Sequence, residues 1–129
     1  MSFKSLLAYE KSYVLAMNVF QVSKNFPKVE QYSLTDQIRR SSRSVTANIA
    51  EAYRKRRYPK HFISKLTDAD AENSETQVWL QYSHDCGYLT PLENEKLIKQ
   101  SLEVGRLLEF MIRNPEKFGS EQLPTATAN

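Results

Sequence analysis

Four long stretches with the periodicity of amphipathic helices, separated by short breakers, constrain the fold of this chain more than any other feature. They run from about Leu6 to Asn25, from Ser33 to Tyr58, from Lys60 to Asp85 and from Thr90 to Asn114. Pro27 and Pro59 mark two of the breaks, because proline has no backbone N–H and disfavours helical geometry at the preceding residue. Four helices with short links predict an all-α fold, an antiparallel up-and-down four-helix bundle.

Each stretch carries a stripe of residues, mostly apolar or small, that recur at helical spacing. The stripe residues are Leu6, Tyr13, Met17 and Phe20 in the first stretch; Ile38, Ser42, Val45, Ile49 and Ala52 in the second; Phe62, Leu66, Ala69, Asn73, Thr76 and Leu80 in the third; and Leu97, Ser101, Val104, Leu108 and Met111 in the fourth. We expect the four stripes to face one another in a single core.

Local signals predict where the helices begin and end. Ser33 is a candidate N-cap for the second helix, with Asp36 at the capping-box position. Thr90 and Glu93 have the spacing of a capping box for the fourth helix. Gly87 stands where a glycine commonly ends a helix. These signals place the helix boundaries within the breaks between the periodic stretches.

A chain of 129 residues is expected to form one domain with one core. Its three glycines are few for a turn-rich β-sandwich. We assign residues 1–115 to the bundle. Residues 116–129 are mostly small and polar and follow no helical pattern, so we expect a flexible C-terminal tail there.

The sequence favours a cytoplasmic location. No run of about 18 apolar residues is present, so no membrane-spanning helix is expected. The N-terminal segment has charges within its apolar part and no small-residue cleavage site, which argues against a secretory signal. Cys86 is the only cysteine, so no internal disulfide can form, as is usual for reduced cytosolic proteins.

The second stretch carries a dense group of basic residues although the net charge of the chain is only +3. On a helical wheel, Arg39, Arg43, Arg54 and Arg57 share one sector and extend over about 27 Å. We call the whole basic set of this region the basic ridge: Arg39, Arg40, Arg43, Arg54, Lys55, Arg56, Arg57 and Lys60. It is a candidate nucleic-acid-binding site, since guanidinium groups bind phosphates and nearby tyrosines can stack on bases. The alternative is a solvated face, or one paired with carboxylates of a neighbour.

The third stretch has a second face that the core stripe does not explain. This face carries the acidic Asp68, Glu72 and Glu75 and, farther along, Trp79 and Tyr82. The acidic residues are candidates for pairing with the basic ridge, within a subunit or between subunits. Aromatic anchors are enriched at interfaces, so we predict that this face contacts another subunit. Wide-angle packing within the monomer is the alternative.

Two polar pairs at one-turn spacing suggest a hydrogen-bond network between helices. Asn48 and Glu51 lie on the second helix, and Asn73 and Thr76 lie within the core stripe of the third. Buried polar groups must be hydrogen-bonded and can define the register of packed helices. A functional site is the alternative.

Patterns typical of enzymes and metal proteins are not found in the sequence. No Glu is followed three residues later by His, as the di-iron bundles require. His84 and Cys86 are two positions apart on one helix and do not face each other. With three glycines, a phosphate-binding glycine loop is not expected. We expect no cofactor, no metal and no catalytic activity.

Several motifs resemble a known family. They are YSLTDQIRRSSRSVTANIAEAY, ETQVWL, DCGYL and NFPKVE. Together they are similar to bacterial four-helix bundle proteins typified by the protein encoded in intervening sequences of large-subunit ribosomal RNA genes. The resemblance covers roughly residues 6–113. This sequence departs from the pattern at Thr46, where the family often has Pro, and at Ala52, where it often has Gly.

The resemblance implies an up-and-down bundle that assembles into a ring-shaped homo-oligomer, a pentamer in family members. A related group is similar to the accessory protein of diversity-generating retroelements, in which a basic pentameric barrel works with a reverse transcriptase and its RNA. These relatives are an argument for nucleic-acid binding, although most of the family has no defined activity.

The main functional hypothesis is a non-catalytic, homo-oligomeric scaffold that binds RNA or DNA through the basic ridge. Binding would be mostly independent of sequence, because the contacts go to phosphates. The alternative is a protein-interaction scaffold whose basic ridge meets Asp68, Glu72 and Glu75 of the next subunit. The chain itself is the first expected partner, RNA or DNA the second, and no membrane association is expected.

Overall fold

The computed structural model of the protein describes residues 2–124. Its four long helices are α1 (Leu7–Ser23), α2 (Asp36–Arg54), α3 (Pro59–Asp85) and α4 (Pro91–Arg113). Each helix packs against the next along the chain, and α4 also packs against α1. No strand is present among residues 2–124. The predicted all-α four-helix bundle is therefore confirmed.

The predicted core stripes of α2, α3 and α4 are all buried. Ile38, Ile49, Phe62, Leu66 and Leu108 have no exposed surface. The polar residues within the stripes are also buried, and each is hydrogen-bonded: Ser42, Asn73, Thr76 and Ser101. Helical spacing of apolar residues was sufficient to find the buried face of these three helices.

The predicted stripe of α1 is wrong in its central residues. Tyr13 is 52% exposed and Met17 is 43% exposed, whereas Leu15 and Val19 are buried. The buried face also carries short side chains, namely Ala8, Ser12, Ala16 and Ser23. Short side chains let α1 approach α2 closely, and the large side chains are left at the edge of the interface.

The ends of α3 and α4 follow the sequence signals. The Thr90 side chain accepts a hydrogen bond from the Glu93 amide at 3.1 Å, and the Glu93 carboxylate accepts one from the Thr90 amide at 2.9 Å. Gly87 follows α3 with φ of +81°, a conformation that glycine adopts without the steric penalty of a side chain. Both predictions are confirmed.

The start of α2 differs from its prediction. A turn of π-helix, Gln31–Thr35, leads directly into the helix, so Ser33 is not its N-cap. The Ser33 hydroxyl instead donates to the Glu30 carboxylate at 2.8 Å. The chain therefore enters α2 by continuing a helical path, and this path makes a capping side chain unnecessary.

The segment after α4 folds back onto the bundle. Pro115–Phe118 forms a short 3-10 helix, Phe118 packs against the core, and Ser120 is 4% exposed. Residues 121–124 have no regular secondary structure, and the rest of the expected tail lies outside the described residues. Flexibility of residues 116–129 in solution stays a prediction.

None of the helices in residues 2–124 combines the length and the apolar character that crossing a membrane requires.

Candidate nucleic-acid interface

The structure divides the basic ridge into two parts with different surroundings. Arg39, Arg40 and Arg43 lie in the first half of α2. The other five residues lie at the C-terminal end of α2, in the turn that follows and, for Lys60, in the first turn of α3. We call residues 54–60 the basic turn. The two parts are separated by Ala47 and Ala50, which line an apolar groove of about 380 Å³ between α1 and α2.

Arg40 is held by two carboxylates of α3. Its guanidinium donates to Glu72 at 2.8 Å and to Glu75 in a second, shorter contact. The hydrogen bond to Glu75 raises the pKa of Arg40. Of the two pairings that the sequence left open, the one within the subunit is therefore present. Glu75 also accepts a hydrogen bond from the Trp79 indole at 3.1 Å, so Arg40 is part of a network that joins α2 to α3.

Arg39 and Arg43 lie over one aromatic ring of α1. The Arg39 guanidinium carbon is 4.9 Å from the centre of the Phe20 ring, and that of Arg43 is 5.6 Å away. Arg39 also donates to the Ser23 hydroxyl at 2.7 Å. These contacts stabilise the α1–α2 interface through cation–π attraction and a charge-assisted hydrogen bond. Arg39 is half-buried, and Arg43 keeps an exposed side chain.

The basic turn holds most of the unpaired positive charge of the basic ridge. The side chains of Arg54, Lys55, Arg57 and Lys60 are exposed and make no hydrogen bond or ion pair with any of residues 2–124. Arg54 and Lys55 lie at the C-terminal end of α2, where a positive charge is favourable for the helix dipole and the donors stay free. These four groups are available to an external anion.

Two aromatic residues give the basic turn its shape. The Arg56 guanidinium lies 3.9 Å from the centre of the Tyr53 ring and donates to the Tyr53 carbonyl at 2.8 Å. Tyr58 is 57% exposed and has an extended backbone, as expected for a residue before proline. Pro59 then begins α3. An exposed aromatic ring therefore stands among the free cations.

The second face of α3 is only partly covered. Trp79 is half-buried, and its ring centre lies 5.9 Å from that of Tyr82, which is 57% exposed. Together with Leu34 and Cys86 they line a shallow groove of about 250 Å³. Asp68 is exposed and forms no ion pair among residues 2–124. Wide-angle packing within the monomer does not bury this face.

The predicted polar network forms in part. The Asn73 amide donates to the Ser101 carbonyl at 2.9 Å and accepts from the Ser101 hydroxyl at 2.9 Å, which links α3 to α4. The Thr76 hydroxyl lies 2.9 Å from that of Ser41, which links α3 to α2. Ser41 was missed from the sequence, and Ser101 was noted only as a stripe residue. Small polar residues at buried positions opposite Asn73 and Thr76 were the available signal.

Asn48 and Glu51 do not belong to this network, which corrects the prediction. The Asn48 amide bonds the Ser44 carbonyl of its own helix at 2.9 Å. Glu51 is exposed and accepts a hydrogen bond from Lys65 at 2.8 Å, and this bond lowers the pKa of the Glu51 carboxyl. Both side chains leave α2 toward the surface, because their sector lies beside the α2–α3 contact and not within it.

No cluster of three or more His, Cys, Asp or Glu side chains suited to a metal ion is found in residues 2–124. The acidic side chains near the basic ridge are engaged with Arg40 and Lys65 or point to solvent. The notable chemical feature of this surface is positive charge.

A family model described as "23S rRNA-intervening sequence protein" matches residues 4–110, which is most of the chain. The chain belongs to the 23S rRNA-intervening sequence protein family. Among solved structures, the bundle is similar to the crystal structure of a protein with unknown function from the S23 ribosomal protein family of Bacteroides thetaiotaomicron VPI-5482. The two chains are 30% identical with a TM-score of 0.76, and the match covers 83% of this chain and 99% of the other. No curated protein matches the chain.

The two departures from the pattern of the 23S rRNA-intervening sequence proteins fit a continuous α2. Thr46 is buried, and its hydroxyl donates to that of Ser12 at 3.0 Å, a contact that proline could not make. Ala52 has no exposed surface. Membership of this family confirms the resemblance seen in the sequence and establishes the bundle, but the family description names no activity for these proteins.

Proposed function

We propose that this protein is a non-catalytic, homo-oligomeric scaffold that binds nucleic acid, RNA in particular, through the basic turn. The observation that carries the proposal is the group of four exposed and unpaired cations, Arg54, Lys55, Arg57 and Lys60, around the exposed ring of Tyr58. Phosphate contacts from such groups supply affinity without reading sequence. A tyrosine among them can stack on an unpaired base, which favours single-stranded over duplex nucleic acid.

The proposed binding surface is smaller than the basic ridge read from the sequence. Arg40 is neutralised by Glu72 and Glu75, and Arg39 is engaged with Phe20 and Ser23. Releasing either group for a phosphate would break contacts between helices. The family description, which links these proteins to intervening sequences of 23S rRNA, is a further reason to place RNA first.

Assembly would raise the affinity of a weak surface. If copies of this chain form a ring, as the family resemblance implies, the basic turn is repeated once per subunit. Once one subunit holds an RNA, the other subunits meet the same RNA at a high effective concentration. Several weak phosphate contacts then add to a higher overall affinity. We propose a pentamer as the assembly, with the exposed Trp79–Tyr82 face of α3 as part of the subunit contact.

A protein-interaction scaffold is the second candidate, and the only partly covered aromatic face of α3 favours it. The version in which the basic ridge pairs with the acidic residues of the next subunit is now less favoured. Glu72 and Glu75 already bind Arg40 of their own chain, and only Asp68 is left unpaired among the three described acids. In this candidate the aromatic face would bind a protein partner, and nucleic acid would not bind.

The test is fluorescence-anisotropy binding of a single-stranded RNA, a duplex RNA and a duplex DNA over a salt series, on protein whose mass is known from light scattering. Four phosphate contacts per subunit predict a slope of log K against log salt of about −3 for a single strand bound to one subunit. The single strand should bind most tightly. Absence of binding at low salt would reject the proposal and leave the protein-interaction scaffold.

The assembly is tested separately by Trp79→Ala. Loss of a large aromatic anchor should shift the light-scattering mass toward the monomer at micromolar concentration. Tyr13→Ala is the matched control, because Tyr13 is 52% exposed and lies on α1, away from the groove that Trp79 and Tyr82 line. An unchanged mass for Trp79→Ala would remove this face from the subunit contact.

A further inference from the structure

The basic turn forms one wall of a cleft whose other wall is the C-terminal segment. The cleft has a volume of about 470 Å³ and is lined by Arg54, Arg56, Arg57, Tyr58 and Gly119. Three arginines therefore line one small space, and no acidic residue is among its lining residues. A bound anion would relieve the repulsion among these like charges.

One of the three arginines is already oriented. Arg56 stacks on the Tyr53 ring and donates from one terminal nitrogen to the Tyr53 carbonyl at 2.8 Å. Its remaining N–H groups are not used by any of residues 2–124. Because the side chain is held before a ligand arrives, less conformational entropy is lost when those groups bind one.

The opposite wall is shaped by a glycine in a left-handed conformation. Gly119 has φ of +86°, and a Cβ at this position would lie 3.2 Å from both Cδ and Nε of Arg56. The segment is held by the hydrogen bond from the Ser120 amide to the Pro115 carbonyl at 3.1 Å. Glycine therefore permits the C-terminal segment to approach Arg56 without displacing its guanidinium.

We propose that this cleft binds a phosphomonoester dianion, either the terminal phosphate of a nucleic-acid strand or that of a free mononucleotide. A terminal phosphate carries about 1.5 to 2 negative charges near pH 7, whereas each phosphodiester within a strand carries one. Three guanidinium groups on one space suit the higher charge, and bidentate contacts suit the three oxygens of a terminal phosphate. Tyr58 at the edge of the cleft is placed to stack on the adjoining base.

This inference rests on the proposed function only if the phosphate belongs to a nucleic-acid strand. Binding of a free mononucleotide does not depend on the proposed function. The test compares one RNA oligonucleotide in three forms, with a 5′-phosphate, with a 3′-phosphate and with hydroxyl ends, and adds AMP alone measured by calorimetry. A phosphate at one end should tighten binding about tenfold, the gain expected from charge-assisted hydrogen bonds. The gain should shrink at pH 5, because the second pKa of a phosphomonoester is about 6.

Two variants assign the effect to the cleft. Arg57→Gln and Arg56→Gln should each remove most of the preference for the phosphorylated strand. The Arg57→Gln variant should keep the wild-type melting temperature, because Arg57 makes no contact that the fold requires. Arg106→Gln is the control, because Arg106 is an exposed arginine of α4 outside the cleft. Loss of the preference in the control as well would overturn the assignment.

The outcomes separate this inference from the proposed function. Equal affinity for the three RNA forms overturns the cleft and leaves RNA binding by the basic turn intact. Binding of AMP that depends on Arg57, without any binding of RNA, supports the cleft with a free nucleotide as its ligand and rejects the proposed function. Binding of neither RNA nor AMP rejects both.

Discussion

The two parts of the basic ridge are both rich in arginine, but they have different surroundings. Arg39 and Arg40 begin the ridge and are engaged by Phe20, Ser23, Glu72 and Glu75 of neighbouring helices. The basic turn ends it, and four of its cations have no partner in residues 2–124. Arg39 and Arg40 lie where α2 packs beside α1 and α3, whereas the four free cations of the basic turn are exposed to solvent. Density of charge in a sequence therefore does not identify a binding surface until the neighbours are known.

The largest expected effect is on RNA binding by the basic turn. Arg54→Glu combined with Arg57→Glu should lower the affinity for single-stranded RNA about 100-fold at low salt, since two favourable phosphate contacts become repulsive. The light-scattering mass should not change. Arg106→Glu is the control for net charge, and a similar loss of affinity there would show that only overall charge matters.

Tyr58→Ala should weaken RNA binding about tenfold, the usual cost of losing one stacked base. The salt dependence should stay the same, because no phosphate contact is removed. Tyr32→Ala, which removes a more exposed tyrosine remote from the basic turn in sequence, should leave the affinity unchanged. Equal effects of the two variants in anisotropy titrations would refute a specific role for Tyr58.

In the part of the basic ridge on α2 that contacts other helices, Arg40→Ala should lower the stability of the fold and leave RNA binding unchanged. The variant leaves Glu72 and Glu75 close together without their cation, and we expect a loss of about 1 kcal/mol in the free energy of unfolding. Urea denaturation measures this loss. RNA affinity should stay within twofold of the wild-type value, and a tenfold decrease would mean that Arg40 leaves its carboxylates to bind phosphate.

The smallest effect is expected at Phe20. Phe20→Leu keeps an apolar side chain but removes the aromatic ring under Arg39 and Arg43, at a cost of about 0.5 kcal/mol. A double-mutant cycle with Arg39→Gln should return a coupling energy of similar size. Zero coupling would show that the ring contributes no cation–π attraction to Arg39.

The fold could be predicted in most respects because three helices bury continuous stripes of well-spaced residues. Phe62, Leu66 and Leu80 are all fully buried at positions that spacing alone selects. The stripe predicted for the first helix is wrong in its central residues, because the large side chains Tyr13 and Met17 are exposed. Its interface is instead built from small residues around Leu15 and Val19, and size does not mark such a face in the sequence.

The site could be predicted only in its location on the second helix and the following turn. A helical wheel gives only the direction in which the Arg40 side chain leaves α2. Its contact with Glu72 and Glu75 depends on the register between α2 and α3, which the wheel does not show. The unknown register also explains why the predicted hydrogen-bond network includes Glu51, which instead pairs with Lys65 at the surface. The cleft at Gly119 depends on the path of the C-terminal segment, which no local pattern describes.

Photo-crosslinking of RNA that carries 4-thiouridine, followed by mass spectrometry of the peptides, tests the central claim most directly. Crosslinks should concentrate on residues 54–61, with Tyr58 as the main site, and should disappear when Arg54 and Arg57 are both changed to Glu. Crosslinks concentrated on residues 36–47 would contradict the account, since they would show that the half of the ridge engaged within the bundle is the half that binds RNA.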